Sequence, residues 1–258
     1  MKKRYIIIGI VLLVYVVFMI AVFGLGLFKN KTYLIIGTAE KLKYENGKYV
    51  DIMPSEKTLY QGAKFDVYDS KGHVGNYILK IHEGRWHAFS DDYDFVKLSP
   101  PIFAIKSNKK YSMPTYEIDE FNDEDIDILN GILEKKDIGN YNLSVNQKIS
   151  IDLNGDGDKE TLYSASNLFE DNTAKNYFSI VYYVKDDKVN IIKDKIYKKI
   201  SGYDYDGETY DLTRIIDLKD DGKLELVITR SCFSNVCDNC SEIYTLKWGK
   251  YKSLRTCE

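Results

Sequence analysis

The chain has 258 residues and a formal net charge of −3, with 36 Lys and Arg spread against 39 Asp and Glu. Without a basic cluster, nucleic acid is excluded as an expected partner. Tyrosine is abundant, 22 residues, and together with Val, Ile and Thr it suits half-buried pleated surfaces, so a mainly β fold is expected; exposed Tyr can also form sugar- or peptide-binding platforms.

In chain order, Met1-Lys2-Lys3-Arg4 precedes an uncharged run from Tyr5 to Phe28, 24 residues of which 17 are Ile, Val, Leu or Phe. As a helix rising ~1.5 Å per residue this run extends about 36 Å, enough for a ~30 Å hydrocarbon core. It is longer than the ~7–15 apolar residues of a cleaved signal peptide, Gly24 and Gly26 make a poor cleavage site, and no cysteine is placed for a lipid anchor. The expectation is a cytoplasmic tail at 1–4 and an uncleaved, single-pass transmembrane helix at 5–28. Lys29, Lys31, Lys41 and Lys43 follow the run closely, so counting positive charges does not orient it.

Residues 30–110 read as a small β-domain of short strands. Asn46-Gly47, inside K-L-K-Y-E-N-G-K-Y-V, is a type I′ hairpin turn sequence. His82-Glu-Gly-Arg-Trp-His87 superficially matches the zinc-protease pattern H-E-x-x-H, but is one residue too long. At i, i+5 the rings lie about 140° apart on a helix and on opposite faces of a strand. Strand residues are the expectation for His82, Trp86 and His87. Pro100-Pro101 and Pro114 close the segment. The linker 111–140 then carries an acidic stretch, Glu117 to Glu134, with Ile126, Leu129, Ile132 and Leu133 at helical spacing and Asn122 placed to cap them. One short amphipathic helix is expected, its apolar face turned to a neighbouring β-domain.

Residues 141–258 hold the chemistry. Ile151 to Glu160 reads I-D-L-N-G-D-G-D-K-E, with oxygen-bearing side chains at Asp152, Asn154, Asp156, Asp158 and Glu160 and bends supplied by Gly155 and Gly157. Ca²⁺ takes six to eight hard oxygen ligands, which a short glycine-bent loop brings together; without a cation the carboxylates would repel one another. The same pattern returns 65 residues later: Asp217, Asp221, Gly222 and Glu225 align with Asp152, Asp156, Gly157 and Glu160. Downstream, residues 182–192 align with 244–254. The second half is therefore an internal duplication of β-units that share one core. Position 12 of the first loop is Tyr163, within an alternating strand rather than a helix, so this is not an EF-hand.

The D-x-[DN]-x-D-G-x-x-[DE] pattern, with its acid at position 9, resembles the calcium loops of FG-GAP repeats, the units of integrin-α-type β-propellers and of related bacterial surface proteins. The resemblance spans about residues 145–257 and implies calcium at one site: Asp152, Asn154, Asp156 and Glu160 by side chain and Asp158 by its carbonyl. In the second loop it implies Asp217, Asp221 and Glu225, with Lys223 at the carbonyl position. That site is expected to be weak, because position 3 is Lys219, whose ammonium could occupy the cation's place. Propellers need four or more blades. Two repeats cannot close such a ring; either they pack face to face, the favoured arrangement, or other parts complete the architecture.

Four cysteines, Cys232, Cys237, Cys240 and Cys257, fall in the second repeat. Their spacing fits a plant-type iron–sulfur pattern, a four-thiolate zinc site or two disulfides. An oxidising compartment favours disulfides. If Trp248-Gly249 is a two-residue hairpin loop, Cys240 lies opposite Cys257, which leaves Cys232 for Cys237. Disulfides and a calcium loop of the weak extracellular class, ~10⁻⁴–10⁻³ M, both place the C-terminal part outside the cytoplasm.

No phosphate-binding glycine loop and no G-x-S-x-G elbow is present, and an enzyme is not expected. The functional expectation is a membrane-anchored, calcium-stabilised extracytoplasmic binding module of the cell envelope. Its partners are the membrane, through 5–28, and an unknown envelope protein or cell-surface polymer. The alternative is a calcium-dependent envelope hydrolase with the N-terminal β-domain as catalytic part, for which a pocket near His82, His87 and Asp91 would speak.

Overall fold

The computed structural model describes residues 32–257 except 38–39, 54, 57–61, 70–71, 83–84, 91–93, 98–102, 107–113, 140, 168–175, 199–207, 220 and 233–238. The expected transmembrane helix at 5–28 lies outside these residues. Among the described residues no helix is long and apolar enough to cross a membrane.

The protein is mainly β, with three antiparallel sheets and one described helix. The first sheet is eight-stranded: β1 (Tyr33–Ile36), β2 (Glu40–Glu45), β3 (Lys48–Asp51), β4 (Lys64–Asp69), β5 (Gly72–His82), β6 (Arg85–Phe89), β7 (Phe95–Val96) and β8 (Phe103–Lys106). They lie in the order β3-β2-β1-β8-β4-β5-β6-β7. Asn46 and Gly47 join β2 to β3 with φ of 51° and 84°, as a type I′ turn requires. His82 ends β5, while Trp86 and His87 lie on β6. His82 and His87 thus lie on paired antiparallel strands, with His82 opposite Arg85 and His87 opposite Lys80, and not on one helix.

Helix α1 (Asp123–Glu134) starts at Asn122 through a capping box: Asn122 Oδ1 accepts from Asp125 N at 3.0 Å, and Asp125 Oδ2 accepts from Asn122 N at 2.9 Å. Asp123, Glu124 and Asp125 put negative charge on the first turn, where the helix dipole favours it. Asp125 is also buried, receiving Lys148 Nζ at 2.8 Å and the Tyr163 hydroxyl at 2.9 Å. Burial alone would raise its carboxyl pKa, but Lys148 and these hydrogen bonds carry it below the ordinary value.

The duplication appears as two four-stranded meanders. β9 (Val145–Ile151), β10 (Glu160–Ser166), β11 (Asn176–Lys185) and β12 (Lys188–Lys198) form one; β13 (Glu208–Ile216), β14 (Glu225–Cys232), β15 (Cys240–Lys247) and β16 (Lys250–Arg255) form the other. Each acidic loop joins the first strand of its meander to the second.

The sheets are stacked. Ile149, Leu162 and Val181 of the first meander pack on Leu212, Leu226 and Ile228 of the second, so the repeats meet face to face. The outer face of the first meander, with Phe178, Ile180 and Tyr182, is covered by Leu129, Ile132 and Leu133 of α1. The outer face of the second, with Ile216, Val227 and Ile243, packs on Leu34, Leu42 and Phe103 of the N-terminal sheet. The layer order is helix, first repeat, second repeat, N-terminal sheet. Polar ties accompany the last contact: Glu40 Oε1 accepts from Arg255 Nη1 at 2.7 Å and Ser241 N at 2.9 Å, and Asp51 pairs with Arg255 Nη2 at 2.9 Å.

Candidate functional site

The first acidic loop is wound around Asp152. Its Oδ1 accepts from Asn154 N at 3.2 Å and Gly155 N at 2.7 Å, and its Oδ2 from Gly157 N at 2.9 Å. Gly155 and Gly157 have φ of 77° and 95°, conformations that glycine adopts without a steric penalty. Asn154 Oδ1 accepts from Asp156 N at 2.8 Å and Asp156 Oδ1 from Asp158 N at 2.9 Å, so the chain turns at every second residue. Glu160 is buried; its Oε2 accepts from Leu153 N at 2.8 Å and its Oε1 from Asn154 Nδ2 at 2.6 Å.

A cationic group enters this loop from outside the motif. Lys185, the last residue of β11, places its ammonium 2.8 Å from Asp156 Oδ2 and 2.6 Å from Glu160 Oε1. The Lys185 hydrogen bond, helped by Asp158 N and Asn154, holds the Asp156 carboxyl down at about 2. The two carboxylates in turn raise the pKa of Lys185.

The second loop repeats the winding. Asp217 Oδ1 accepts from Lys219 N and Asp221 N, both at 3.2 Å, and Oδ2 from Gly222 N at 2.8 Å. Asp221 Oδ1 accepts from Lys223 N at 3.1 Å, and Glu225 Oε2 from Leu218 N at 2.8 Å. Here the ammonium comes from within: Lys219 Nζ lies 2.6 Å from Glu225 Oε1, which Thr245 Oγ1 also contacts at 2.6 Å. Burial raises the pKa of Glu225, against the opposing pull of Lys219 and Thr245.

The two loops touch. A Cβ on Gly155 would fall 2.7 Å from the Gly222 carbonyl oxygen, and Leu224 N donates to Leu153 O at 3.0 Å. The predicted ligands Asp152, Asn154, Asp156, Asp158 and Glu160 are therefore all on one loop at the seam between the repeats, with Asp217, Asp221, Lys223 and Glu225 on the adjoining one. Among the described residues no three His, Cys, Asp or Glu side chains converge as a metal centre would need. Asp156 and Glu160 converge on the Lys185 ammonium, while Asp152 is turned to backbone N–H groups. The ammonium of Lys185 thus takes the charge-neutralising place between positions 5 and 9 of the loop.

Beside the first loop is a pocket of about 320 Å³. Its aromatic wall is Tyr183, Trp248 and Tyr251; its polar side is Asn154, Glu160, Lys185 and Lys223. The Tyr183 hydroxyl donates to Gly249 O at 2.7 Å and the Tyr251 hydroxyl to Leu224 O at 3.3 Å. The two rings meet edge to face with centroids 5.6 Å apart. Burial pushes both phenols above their ordinary pKa, so they stay protonated. Motif spacing does not point to this pocket, because its residues come from both repeats and from the Trp248-Gly249 hairpin tip. The usable signal was Trp248, an aromatic residue at a turn position that ordinarily takes Asn, Asp or Gly.

No protein-family model, no curated protein and no solved structure matches the chain.

Cys240 and Cys257 are disulfide-bonded, with Cα atoms 6.1 Å apart. Cys232 is disulfide-bonded as well; Cys237, its expected partner, lies outside the described residues. The iron–sulfur and zinc alternatives, which need these sulfurs as thiolates, are set aside. His82 and His87 belong to neighbouring strands of one hairpin, and Asp91 lies outside the described residues.

Proposed function

We propose that the protein is a membrane-anchored, extracytoplasmic binding module of the cell envelope, built on a pair of FG-GAP-like units. The observation that carries the reading is the pocket at the seam of the repeats, where side chains from both units and an acidic loop meet on one surface. The Cys240–Cys257 disulfide supports an oxidising compartment, and the uncharged run at 5–28 supports an anchor.

Calcium belongs to this reading as the ion of the first loop. Asp152, Asn154, Asp156 and Glu160 and the carbonyl of Asp158 would hold it in exchange for the Lys185 ammonium. The ion supplies positive charge that lets the acidic side chains sit together at the pocket edge. In the second loop Lys219 keeps that place.

The test uses the full chain in detergent micelles and isolated envelopes of the cells that make it. Retention on envelopes is expected in ~1 mM Ca²⁺, weakened by chelator, and lost in Trp248→Asn. Calcium should also raise the melting temperature: for a dissociation constant of ~0.1 mM, linkage gives about 1.4 kcal/mol. Lys185→Met, which removes the internal competitor, should enlarge that shift. Unchanged melts with and without calcium in both proteins would remove the ion from the reading. Equal retention of wild type and Trp248→Asn would remove the pocket from it.

A further inference from the structure

We infer that the pocket between the repeats takes a single sugar ring that carries a negative charge, as one unit of an anionic surface polysaccharide. The inference rests on the pocket being the binding site.

The argument begins at Trp248. It occupies the first position of the β15–β16 turn with φ of 53°, and Gly249 follows with 73°. Among the described residues the other two such turns are made by Asn46-Gly47 and Asp186-Asp187, residue types that tolerate a left-handed backbone. A tryptophan held there, 83% exposed, breaks both the turn rule and the burial rule. A residue kept against local preference at the rim of a pocket marks function. A flat aromatic face beside a small cavity is suited to the apolar C–H face of a sugar ring.

The charge around the ring sets the sign of the ligand. Lys247 and Lys252 place their ammonium groups 4.7 and 4.9 Å from the Trp248 ring centroid. Lys223 is exposed on the pocket wall. Among the described residues none of these three lysines has a carboxylate partner. On the loop side the single Lys185 ammonium is shared by Glu160 and Asp156. The Trp248 side of the rim, with Lys223, Lys247 and Lys252, is therefore the cationic one on a chain whose net charge is −3, and a surface of one sign draws ligands of the other.

Hydrogen-bonding capacity favours a polyhydroxyl ligand over a bare anion. The Tyr183 and Tyr251 hydroxyls each give their single hydrogen to a backbone carbonyl, which leaves their oxygens as acceptors only. Lys185 uses two of its three hydrogens on Asp156 and Glu160 and would have all three for a ligand once calcium takes its place in the loop, and Asn154 Nδ2 uses one of two on Glu160; each keeps at least one donor. Acceptors and donors side by side suit hydroxyl groups, which are both. The volume, about 320 Å³, is at the small end for ligand sites and limits the occupant to one ring.

The test again uses the full chain in detergent micelles on isolated envelopes, now in three arms: untreated, oxidised with periodate to cleave vicinal diols, and stripped with protease. Retention should fall at least tenfold after periodate and hold after protease. Oligogalacturonate should compete and quench Trp248 fluorescence, read in a Trp86→Phe background; maltotetraose and polyglutamate should do neither. Trp248→Asn, which keeps a turn-compatible residue, and Lys223→Glu should each lose at least tenfold in competition while melting like wild type. Loss to protease but not to periodate would overturn the sugar while leaving a binding module. Equal competition by maltotetraose or by polyglutamate would overturn the anionic sugar. No retention in any arm would overturn both readings.

Discussion

Lys185 and Lys219 reach equivalent points in the two loops from different places in the chain. Each ammonium sits on the position-9 glutamate, at 2.6 Å, but Lys219 lies inside its motif and Lys185 comes 25 residues after Glu160. The first arrangement was legible in the sequence, because a lysine at a ligand position announces itself. The second was not, since spacing within a motif does not say which neighbouring strand ends at its mouth. Lys185 also gives a pH signature. Its hydrogen bond lowers the Asp156 pKa to about 2, below the ordinary ~3.9. The folded state thus prefers the ionised form; the stabilisation is complete above about pH 4 and is lost as pH falls towards 2. In calcium-free buffer at low salt, wild type should lose more melting temperature between pH 4 and 2 than Lys185→Met does. Because Asp156 is exposed, raising the salt should shrink the difference.

Local chemistry fixes several of the elements. Asn122 caps α1 as its sequence suggests, and the Trp248-Gly249 turn sets the expected register, Lys247 opposite Lys250 through Tyr244 opposite Ser253. There a bulge intervenes and Ile243 faces Arg255 instead, a one-residue shift that alternation does not reveal; Cys240 and Cys257 still meet. What the motifs hid was the approach of one loop to the other, which depends on how two sheets stack. Gly155 is the contact: it needs both its positive φ and the absence of a Cβ against the Gly222 carbonyl. Gly155→Ala should cost roughly 1–3 kcal/mol, the scale of a left-handed non-glycine residue, with the steric contact added to it. Urea unfolding would measure this, and a cost below about 0.5 kcal/mol would mean that the loops part without penalty.

At the level of the whole molecule, the repeat pair is closed by its neighbours rather than by more repeats. Helix α1 caps one outer face and the N-terminal sheet the other, so the fold is closed as four layers. Composition and alternation made the three groups of strands legible. Nothing in a period-2 pattern says which of two apolar faces meets which partner. A chain starting at residue 114 would expose Ile216, Leu218, Val227 and Ile243, buried against the N-terminal sheet, and would strip Arg255 of Glu40 and Asp51. Such a fragment should aggregate or lose its cooperative transition in size-exclusion and urea experiments. A monomeric, cooperatively melting fragment would instead make the repeat pair an independent domain.

The Cys240–Cys257 bridge matters for force. Under the function proposed above, tension would run between an anchor and Trp248. The hairpin that carries Trp248 is closed at its open end by a covalent link spanning 17 residues, so tension at its tip cannot peel β16 from β15 beyond the bridge. Beside the bridge, Arg255 ties β16 to Glu40 and Asp51 of the N-terminal sheet, which would take up part of that load. A reductant would then shorten the lifetime of the grip under flow while leaving its strength at rest unchanged.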